Sequence, residues 1–175
     1  MVGEVRRVLL VGFMGSGKTS VGQHVATALG WRFVDADAAI EAETGMPISE
    51  IFRTRGEAAF RAMEARQMLA DLSKENVVIA SGGGWAAKPG WVEAIGEGTV
   101  SIWLKVTAAE AVRRAKNAPG TRPLLSGAEP LNMARELVAA RSVSYAGAAW
   151  KVDTEGSSVE DVAARILMIL AATDP

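Results

Sequence analysis

The sequence contains no cysteine and a single histidine, His24, in 175 residues. It can therefore form no disulfide framework, no thiolate metal site and no cysteine nucleophile. It also lacks an apolar run of about 18 residues, which a membrane-crossing helix requires, and its first residues lack the apolar core of a signal peptide. We exclude disulfide-stapled and membrane-spanning classes, and we expect a cytoplasmic protein.

An excess of charge of one sign is also absent, because 19 basic and 20 acidic residues leave a net charge of −1. A protein that holds nucleic acid or a membrane surface by bulk electrostatics carries a clear basic excess. We therefore expect no nucleic acid and no membrane as partner. The apolar fraction of 49% is ordinary for a globular protein, and we expect one domain over residues 1–175 and a monomer.

A glycine-rich segment near the N-terminus is the strongest motif in the chain. The segment from Gly12 to Thr19 reads GFMGSGKT and fits G-x-x-x-x-G-K-[ST], a loop that wraps the phosphates of a nucleotide. Gly15 and Gly17 permit backbone conformations that turn N–H groups toward anionic oxygens. Lys18 can reach the β- and γ-phosphates, and the Thr19 hydroxyl can bind Mg²⁺.

The sequence on either side of this motif supports phosphate binding. Residues 8–11 form an apolar run that is typical of a buried parallel strand, and a helical pattern that ends at Gly30 follows the motif. The alternative is a glycine-rich turn that only joins two core elements. Because strand, loop and helix follow in the required order, we interpret residues 12–19 as a phosphate-binding loop.

Four further apolar runs alternate with helical patterns along the chain. This alternation predicts an α/β fold, a single P-loop domain in which helices cover both faces of a five-stranded parallel sheet. The predicted strands are residues 8–11, 31–34, 77–80, 99–104 and 150–152.

Two acids, Asp35 and Asp37, directly follow the second predicted strand. Ligands of open α/β sheets bind at the carboxyl ends of the strands, so one acid can face a metal ion and the other a second substrate. The alternative is that one of them only caps the helix predicted to begin near Ala38.

Residues 38–72 are predicted to form a helical region. Gly45 ends its first helix, and Ser49 is a candidate cap for a short second helix, which Gly56 breaks. A longer helix is predicted over residues 57–72.

Three charged residues of this longer helix share one face, namely Glu57, Arg61 and Glu64. On a solvated helix they would form a ladder of ion pairs that contributes little to stability. From the residues alone we favour this surface ladder over a binding site.

Three successive glycines, Gly82, Gly83 and Gly84, follow the third predicted strand. Such a run permits close approach to a ligand, whose oxygens its N–H groups can bind, or it is only a flexible turn. A typical phosphate-loop enzyme ends this strand in an acid that organises Mg²⁺. No acid stands here, so Asp35 is the available substitute.

A stretch rich in proline, glycine and polar residues, about 115–130, is predicted to be a lid loop that closes over the nucleotide. Arg122 lies in its middle and is either a lid cation or an ordinary surface charge. A helix over residues 131–140 is predicted to follow and to lead to Arg141 and Tyr145, the single tyrosine.

In this order and spacing, these stretches resemble the shikimate kinase family from residue 8 to about residue 170. The phosphate loop alone fits many ATPases, whereas the F-R-x-x-E segment, the triple glycine and the R-P-L-L lid are far more selective. The matching stretches are residues 12–19, 33–37, 48–52, 56–64, 81–84, 121–125 and 141–145.

The resemblance implies an enzyme that transfers a phosphoryl group from ATP to the 3-hydroxyl of shikimate, a step of aromatic amino-acid biosynthesis. It implies Mg²⁺ as the cofactor and shikimate and ATP as small-molecule partners. It also implies that the helical region of about residues 38–72 binds the substrate. It implies the strand order 2-3-1-4-5, which related nucleoside monophosphate kinases share.

The resemblance further implies which residues form the site. The catalytic residues would be Lys18, Asp37 and Arg122. The ATP-binding residues would be Gly12, Gly15, Ser16, Gly17, Lys18, Thr19, Ser20, Arg114, Arg122 and Ser157. The substrate-binding residues would be Asp37, Arg61, Glu64, Gly82, Gly83, Gly84 and Arg141, and the metal site would use Thr19 and Asp35.

Within these sets, the resemblance implies that Arg61 and Arg141 bind the substrate carboxylate while Glu64 holds Arg61 in place. Planar guanidinium groups suit a carboxylate, which agrees with that assignment. Two positions depart from the family pattern. Trp85 follows the triple glycine where a small residue is expected, and Val159 stands where members often have proline.

Two other functions stay open at this point. Another small-molecule kinase, acting on gluconate or a nucleoside monophosphate, would share the phosphate loop, although a nucleotide acceptor would call for a pocket for its base. A nucleotide-dependent switch is disfavoured because the chain contains no N-K-x-D guanine-reading motif.

Overall fold

The computed structural model describes residues 4–117 and 129–173. Within them, strands and helices alternate along most of the chain, as the sequence predicts. The strands are β1 (Arg7–Val11), β2 (Arg32–Asp35), β3 (Val77–Ala80), β4 (Thr99–Lys105) and β5 (Trp150–Asp153). The helices are α1 (Lys18–Leu29), α2 (Ala36–Thr44), α3 (Ile48–Leu72), α4 (Ala108–Asn117), α5 (Pro130–Tyr145) and α6 (Val159–Thr173).

The five strands form one parallel sheet in the order β2-β3-β1-β4-β5, which confirms the predicted topology. The central strand β1 pairs with β3 and β4, so that Leu9 lies beside Ile79 on one side and Ser101 on the other. Because all strands run the same way, the loops that follow them meet at one edge of the sheet.

Hydrophobic cores fill both faces of the sheet. Alternate residues of β1 point to opposite sides, and all of them are buried. Leu10 packs with Val25 of α1 and Ile166 of α6, whereas Leu9 packs in a second cluster with Met68 of α3. A strand buried on both faces reads as a continuous apolar run, which is why β1 was recognisable in the sequence.

Several element boundaries differ from the predicted ones. Helix α2 begins two residues earlier than expected, because Asp35 caps it. Helix α3 begins at Ile48 after Pro47, so Ser49 lies inside the helix and the predicted cap is wrong. Helix α5 continues to Tyr145 instead of ending at residue 140, since its last turn is bonded to a distant segment described below.

The predicted break at Gly56 is confirmed. Gly56 has φ 83° and ψ 167°, which is not helical, although helical hydrogen bonding continues on either side of it. Glycine adopts positive φ without steric cost, so the break occurs where the sequence allows it.

No helix within residues 4–117 and 129–173 is long and apolar enough to cross a membrane. Arg122 and most of the predicted lid, residues 118–128, lie outside the described residues.

Candidate active site

The phosphate loop joins β1 to α1 at the carboxyl edge of the sheet. Gly12 has φ 146°, and a side chain there would lie 2.5 Å from the carbonyl oxygen of Leu104 in β4. Gly15 and Gly17 also have positive φ, at 78° and 94°. The Nζ of Lys18 donates to the Gly12 carbonyl at 2.7 Å, which folds the lysine back over the loop.

Asp35 uses its two carboxylate oxygens for different partners. Oδ1 accepts hydrogen bonds from the N–H groups of Asp37 at 3.1 Å and Ala38 at 3.2 Å, so Asp35 does cap the helix, although this is not its only contact. Oδ2 accepts a hydrogen bond of 2.6 Å from the Thr19 hydroxyl. The cap therefore leaves one oxygen directed at the end of the phosphate loop.

Asp37 lies in the first turn of α2 and is set apart from Asp35 by its surroundings. Its Oδ1 is buried and has no hydrogen-bond partner among the described residues. Burial raises the pKa of Asp37 from 3.8 to about 6, and the negative charges of Asp35 and Glu64 add to the rise while Lys18 opposes it. A carboxyl group with such a pKa can gain or lose its proton near neutral pH.

The surface-ladder interpretation of α3 is wrong for Glu64. The Glu64 side chain is only 1% exposed, and its Oε2 accepts a hydrogen bond of 2.9 Å from Nη1 of Arg61. Its Oε1 accepts a second hydrogen bond from the backbone N–H of Trp85 at 3.1 Å. Glu64 thus ties Arg61 to the segment after β3, while only Glu57 behaves as the expected exposed partner.

The triple glycine is not a flexible turn but a place where charged side chains crowd the backbone. A Cβ on Gly82 would overlap Oε1 of Glu64, and one on Gly84 would overlap the guanidinium of Arg61. A Cβ on Gly83 would come within 3.3 Å of Nη1 of Arg141. None of the three needs a positive φ, so the reason for glycine here is close approach alone.

Arg141 reaches the same place from α5, on the other side of the cleft from α3. Its guanidinium lies over the ring of Phe13 in the phosphate loop, with 5.8 Å between the guanidinium carbon and the ring centroid. Two guanidinium groups from different helices therefore converge on one glycine segment. Such a pair suits a planar anion such as a carboxylate.

Arg114 of α4 connects the phosphate loop to the end of β5. Its Nη1 donates to the Gly15 carbonyl at 3.0 Å, and its Nη2 donates to the Thr154 carbonyl at 3.0 Å. Its Nε donates to Glu110 at 2.7 Å. Hydrogen bonds from Arg113 and Arg114 lower the pKa of Glu110 to about 2, so this anchor stays charged.

One large cleft brings most of the predicted residues together. Its volume is about 1430 Å³, more than the 300–1,000 Å³ typical of a pocket for one small ligand, which leaves room for two substrates. Of the predicted residues, Gly12 and Gly82 do not line the cleft, and Arg122 lies outside the described residues. The predicted residues in the lining are Gly15, Ser16, Gly17, Lys18, Thr19, Ser20, Asp35, Asp37, Arg61, Glu64, Gly83, Gly84, Arg114, Arg141 and Ser157.

Some contributing residues were missed by sequence reasoning. The role of Glu110 could have been predicted, since it stands four residues before Arg114 on one helix, a spacing that favours an ion pair. Thr154, which is buried and accepts from Arg114, carried none. The hydroxyl of Ser157 lines the cleft and accepts from Arg165, a partner that no local pattern indicated.

Trp85 points away from the cleft. Its side chain is 5% exposed and packs edge-on against Trp91, with 5.5 Å between the ring centroids. Only its backbone N–H takes part in the site, through Glu64. The large side chain of Trp85, where the family pattern has a small residue, therefore packs into the core and does not narrow the cleft. Val159, the other departure, does line the cleft.

The cleft lies at the carboxyl edge of a parallel sheet. It contains a phosphate loop, a buried carboxyl group with a pKa of about 6 and two converging guanidinium groups. Phosphoryl transfer needs positioning and charge stabilisation, which such groups supply. The chain is thus a P-loop kinase with a site for a small anionic acceptor.

Comparison with known proteins gives the particular family. A family model described as shikimate kinase matches residues 14–171. The shikimate kinase of Synechococcus sp. (strain RCC307) is 44% identical over 163 residues, which cover 92% of this chain and 82% of that protein. The shikimate kinase of Mycobacterium avium (strain 104) is 42% identical over 96% of this chain and 95% of its own length. The chain belongs to the shikimate kinase family.

Solved structures agree with this result. Shikimate kinase from Acinetobacter baumannii, in complex with shikimate, is 31% identical with a TM-score of 0.86 and covers 96% of this chain and 94% of that one. A gluconokinase from Sinorhizobium meliloti 1021 is only 17% identical with a TM-score of 0.55, so it shares the fold alone. As a family member, the chain is an ATP-dependent kinase of shikimate in aromatic amino-acid biosynthesis.

Proposed function

We propose that the chain transfers the γ-phosphoryl group of ATP to the 3-hydroxyl of shikimate, with shikimate held between α3 and α5. The observation that carries this proposal is the convergence of Arg61 and Arg141 on the triple glycine beside the buried carboxylate of Asp37. Shikimate is a carboxylic acid with several ring hydroxyls. Paired guanidinium groups suit its carboxylate, and a buried carboxylate acceptor suits its hydroxyls.

On the acceptor side, each side chain has one task. Arg61 and Arg141 bind the shikimate carboxylate, and Glu64 keeps Arg61 in place through their 2.9 Å ion pair. Phe60 supports Arg61 from the other side, with 5.3 Å between the guanidinium carbon and the ring centroid. Because Glu64 is buried and also bonded to the backbone, Arg61 is ordered before substrate arrives, which lowers the entropic cost of binding.

Asp37 is the group that acts on the reacting hydroxyl. Its carboxylate orients the attacking 3-hydroxyl and can accept its proton as the bond to phosphorus forms. A pKa of about 6 leaves Asp37 ionised at neutral pH and still a stronger base than an exposed aspartate. Its unpartnered oxygen is then satisfied by the substrate hydroxyl.

On the nucleotide side, the backbone of residues 12–19 holds the phosphates, and Lys18 stabilises the negative charge that develops during transfer. Arg114 of α4 and Ser157, which follows β5, flank the site that we assign to adenine. Arg122, which lies outside the described residues, is proposed to complete the charge stabilisation from the lid.

The cofactor that we propose is Mg²⁺, for which the residues fit. Thr19 and Asp35 bring one hydroxyl and one carboxylate oxygen together at the end of the phosphate loop, 2.6 Å apart. Oxygen ligands from few side chains, with phosphate oxygens and water completing the set, are typical of Mg²⁺ sites. When bound, the ion would neutralise charge on the β- and γ-phosphates.

A coupled ADP-release assay with shikimate, gluconate, AMP and CMP as acceptors tests the proposal. We expect robust turnover with shikimate alone. The variant Lys18→Met, purified in the same way, is expected to turn over shikimate at least about 100-fold more slowly. Such a loss would exclude a contaminating kinase as the source of the wild-type activity. Turnover with gluconate or a nucleotide but not with shikimate would overturn the proposal. The expected monomer and cytoplasmic location stay predictions, and light scattering after gel filtration tests the first.

A further inference from the structure

Tyr145 is buried behind the acceptor site and has no role in the reaction as proposed above. Its side chain is 1% exposed and does not line the cleft. Its hydroxyl donates a hydrogen bond of 2.8 Å to the carbonyl oxygen of Gly83, which is 62 residues away in the sequence. Burial raises the pKa of Tyr145 to about 12, although the Arg141 guanidinium beside the hydroxyl opposes the rise, so the hydroxyl keeps its proton at neutral pH.

This hydrogen bond fixes more than one carbonyl group. The carbonyl of Gly83 and the N–H of Gly84 belong to the same planar peptide, and no described peptide bond is cis. The N–H of Gly84 therefore points away from the Tyr145 hydroxyl. Glycine has wide backbone freedom, so a peptide between two glycines needs an external group to hold its orientation.

The peptide held in this way lies between the two guanidinium groups of the site. Gly84 is packed against Arg61, and Gly83 is within reach of Arg141. Both glycines line the cleft. Among the residues described, nothing accepts a hydrogen bond from the N–H of either glycine, so both donors are available to a ligand in the cleft.

We propose that Tyr145 is a positioning residue that aims the backbone N–H of Gly84 at the acceptor carboxylate between Arg61 and Arg141. The site then offers that carboxylate a fixed backbone donor in addition to two guanidinium forks. Charged hydrogen bonds of this kind are strong and directional, so a loosened peptide weakens acceptor binding and leaves nucleotide binding unchanged. The inference rests on the proposed function, in which this part of the cleft holds the carboxylate of shikimate.

The adjacent residue provides a matched control. Ser144, one residue before Tyr145, donates a hydrogen bond of equal length, 2.8 Å, to the carbonyl of Ala87 in the same segment. Ala87 does not line the cleft. Ser144→Ala therefore removes one bond between α5 and this segment without touching the glycines. Tyr145→Phe removes the bond to Gly83, together with the contact between the hydroxyl and Arg141, and keeps the ring that packs near Trp103.

The test compares these two variants with the wild type, about ten degrees below the lower melting temperature, where both are folded by circular dichroism. The KM values for shikimate and ATP are measured, together with the Kd of shikimate without nucleotide. We expect Tyr145→Phe to raise the KM and Kd for shikimate about tenfold, with the KM for ATP within about twofold. Ser144→Ala is expected to leave all three constants within about twofold of the wild type.

A second readout identifies the carboxylate as the group concerned. The ratio of kcat/KM for shikimate to kcat/KM for its carboxamide should fall in Tyr145→Phe, because the amide already lacks the charge that the N–H recognises. The inference is overturned if Tyr145→Phe behaves like Ser144→Ala in both readouts. Failure of the proposed function looks different, since the wild type itself would then not bind or phosphorylate shikimate.

Discussion

Gly82 and Glu64 share a space that is too small for one more carbon atom. A Cβ on Gly82 would overlap Oε1 of Glu64 and come within 3.0 Å of Oδ1 of Asp37. Glu64 cannot turn away, because it is buried and holds both Arg61 and the N–H of Trp85.

Gly82→Ala is therefore expected to displace the acceptor site as a unit. We expect kcat/KM for shikimate to fall at least about 100-fold, since catalysis tolerates little misplacement, while the Kd for ATP stays within about twofold. Steady-state kinetics and nucleotide titration check both values. Gly45→Ala is the control, because a Cβ there would meet nothing within 4 Å, and the variant only bears backbone strain at φ 65°. Full activity with shikimate in Gly82→Ala would contradict the crowding argument.

Asp35, at the end of β2, and Asp37, in the first turn of α2, are expected to respond differently to Mg²⁺. Asp35→Asn weakens the site that Thr19 shares, so part of its lost activity should return as Mg²⁺ is raised, by mass action. Asp37→Asn removes the group that orients the hydroxyl, so it should lose about 100-fold or more in kcat and gain nothing from Mg²⁺. A Mg²⁺ titration of kcat/KM for shikimate decides between them. Equal rescue of both variants, or of neither, would show that the acids act as one unit.

The same Asp37→Asn change is expected to stabilise the protein without ligands at alkaline pH. The pKa of Asp37 is about 6 in the folded state against an ordinary 3.8, so the folded state binds this proton more tightly than the unfolded chain. The stability that the proton contributes is complete below pH 3.8 and is lost as pH rises through about 6. At pH 8 the charge costs about 3 kcal/mol, since each pKa unit corresponds to about 1.4 kcal/mol.

Urea unfolding of the wild type and Asp37→Asn checks this linkage. The advantage of asparagine in the free energy of unfolding should shrink by about 1.4 kcal/mol between pH 8 and pH 5. Asp71→Asn is the control, because Asp71 is also buried but accepts hydrogen bonds from Gln67 and Lys74. That variant should be destabilised at both pH values. An advantage of Asp37→Asn that is equal at both pH values would rule out the charge as its cause.

Arg114 and Arg113 share Glu110 as a partner but differ in their other hydrogen bonds. Only Arg114 also holds the carbonyls of Gly15 and Thr154. Arg114→Ala is therefore expected to raise the KM for ATP about tenfold and to leave the KM for shikimate within about twofold. Arg113 also lines the cleft, but among the described residues its hydrogen bonds go only to Glu110, so Arg113→Ala should change neither KM by more than about twofold. Equal effects of the two variants would assign the loss to Glu110 and not to the bridge.

Local signals in the sequence were sufficient for the framework of this protein. The apolar run of β1, the spacing of Gly12 to Thr19 and the helix stop at Gly30 each depend on residues close together in the chain. The physical reason is that the apolar run of a strand buried on both faces, the conformation of a glycine-rich loop and the cap of a helix each leave a pattern in residues a few positions apart. For the same reason the parallel sheet and its elements were predictable, and the resemblance to a family supplied the order of its strands.

The interior of the acceptor site was decided only by the tertiary structure. From the residues alone, Glu64 belonged to a surface ladder, and only the family resemblance assigned it to hold Arg61. The structure buries Glu64, and a backbone N–H 21 residues later provides its second partner. The triple glycine is explained by side chains from α2, α3 and α5, and Tyr145 reaches Gly83 across 62 residues. Burial and close approach depend on groups that folding brings together from distant positions, and no local pattern of residues records them.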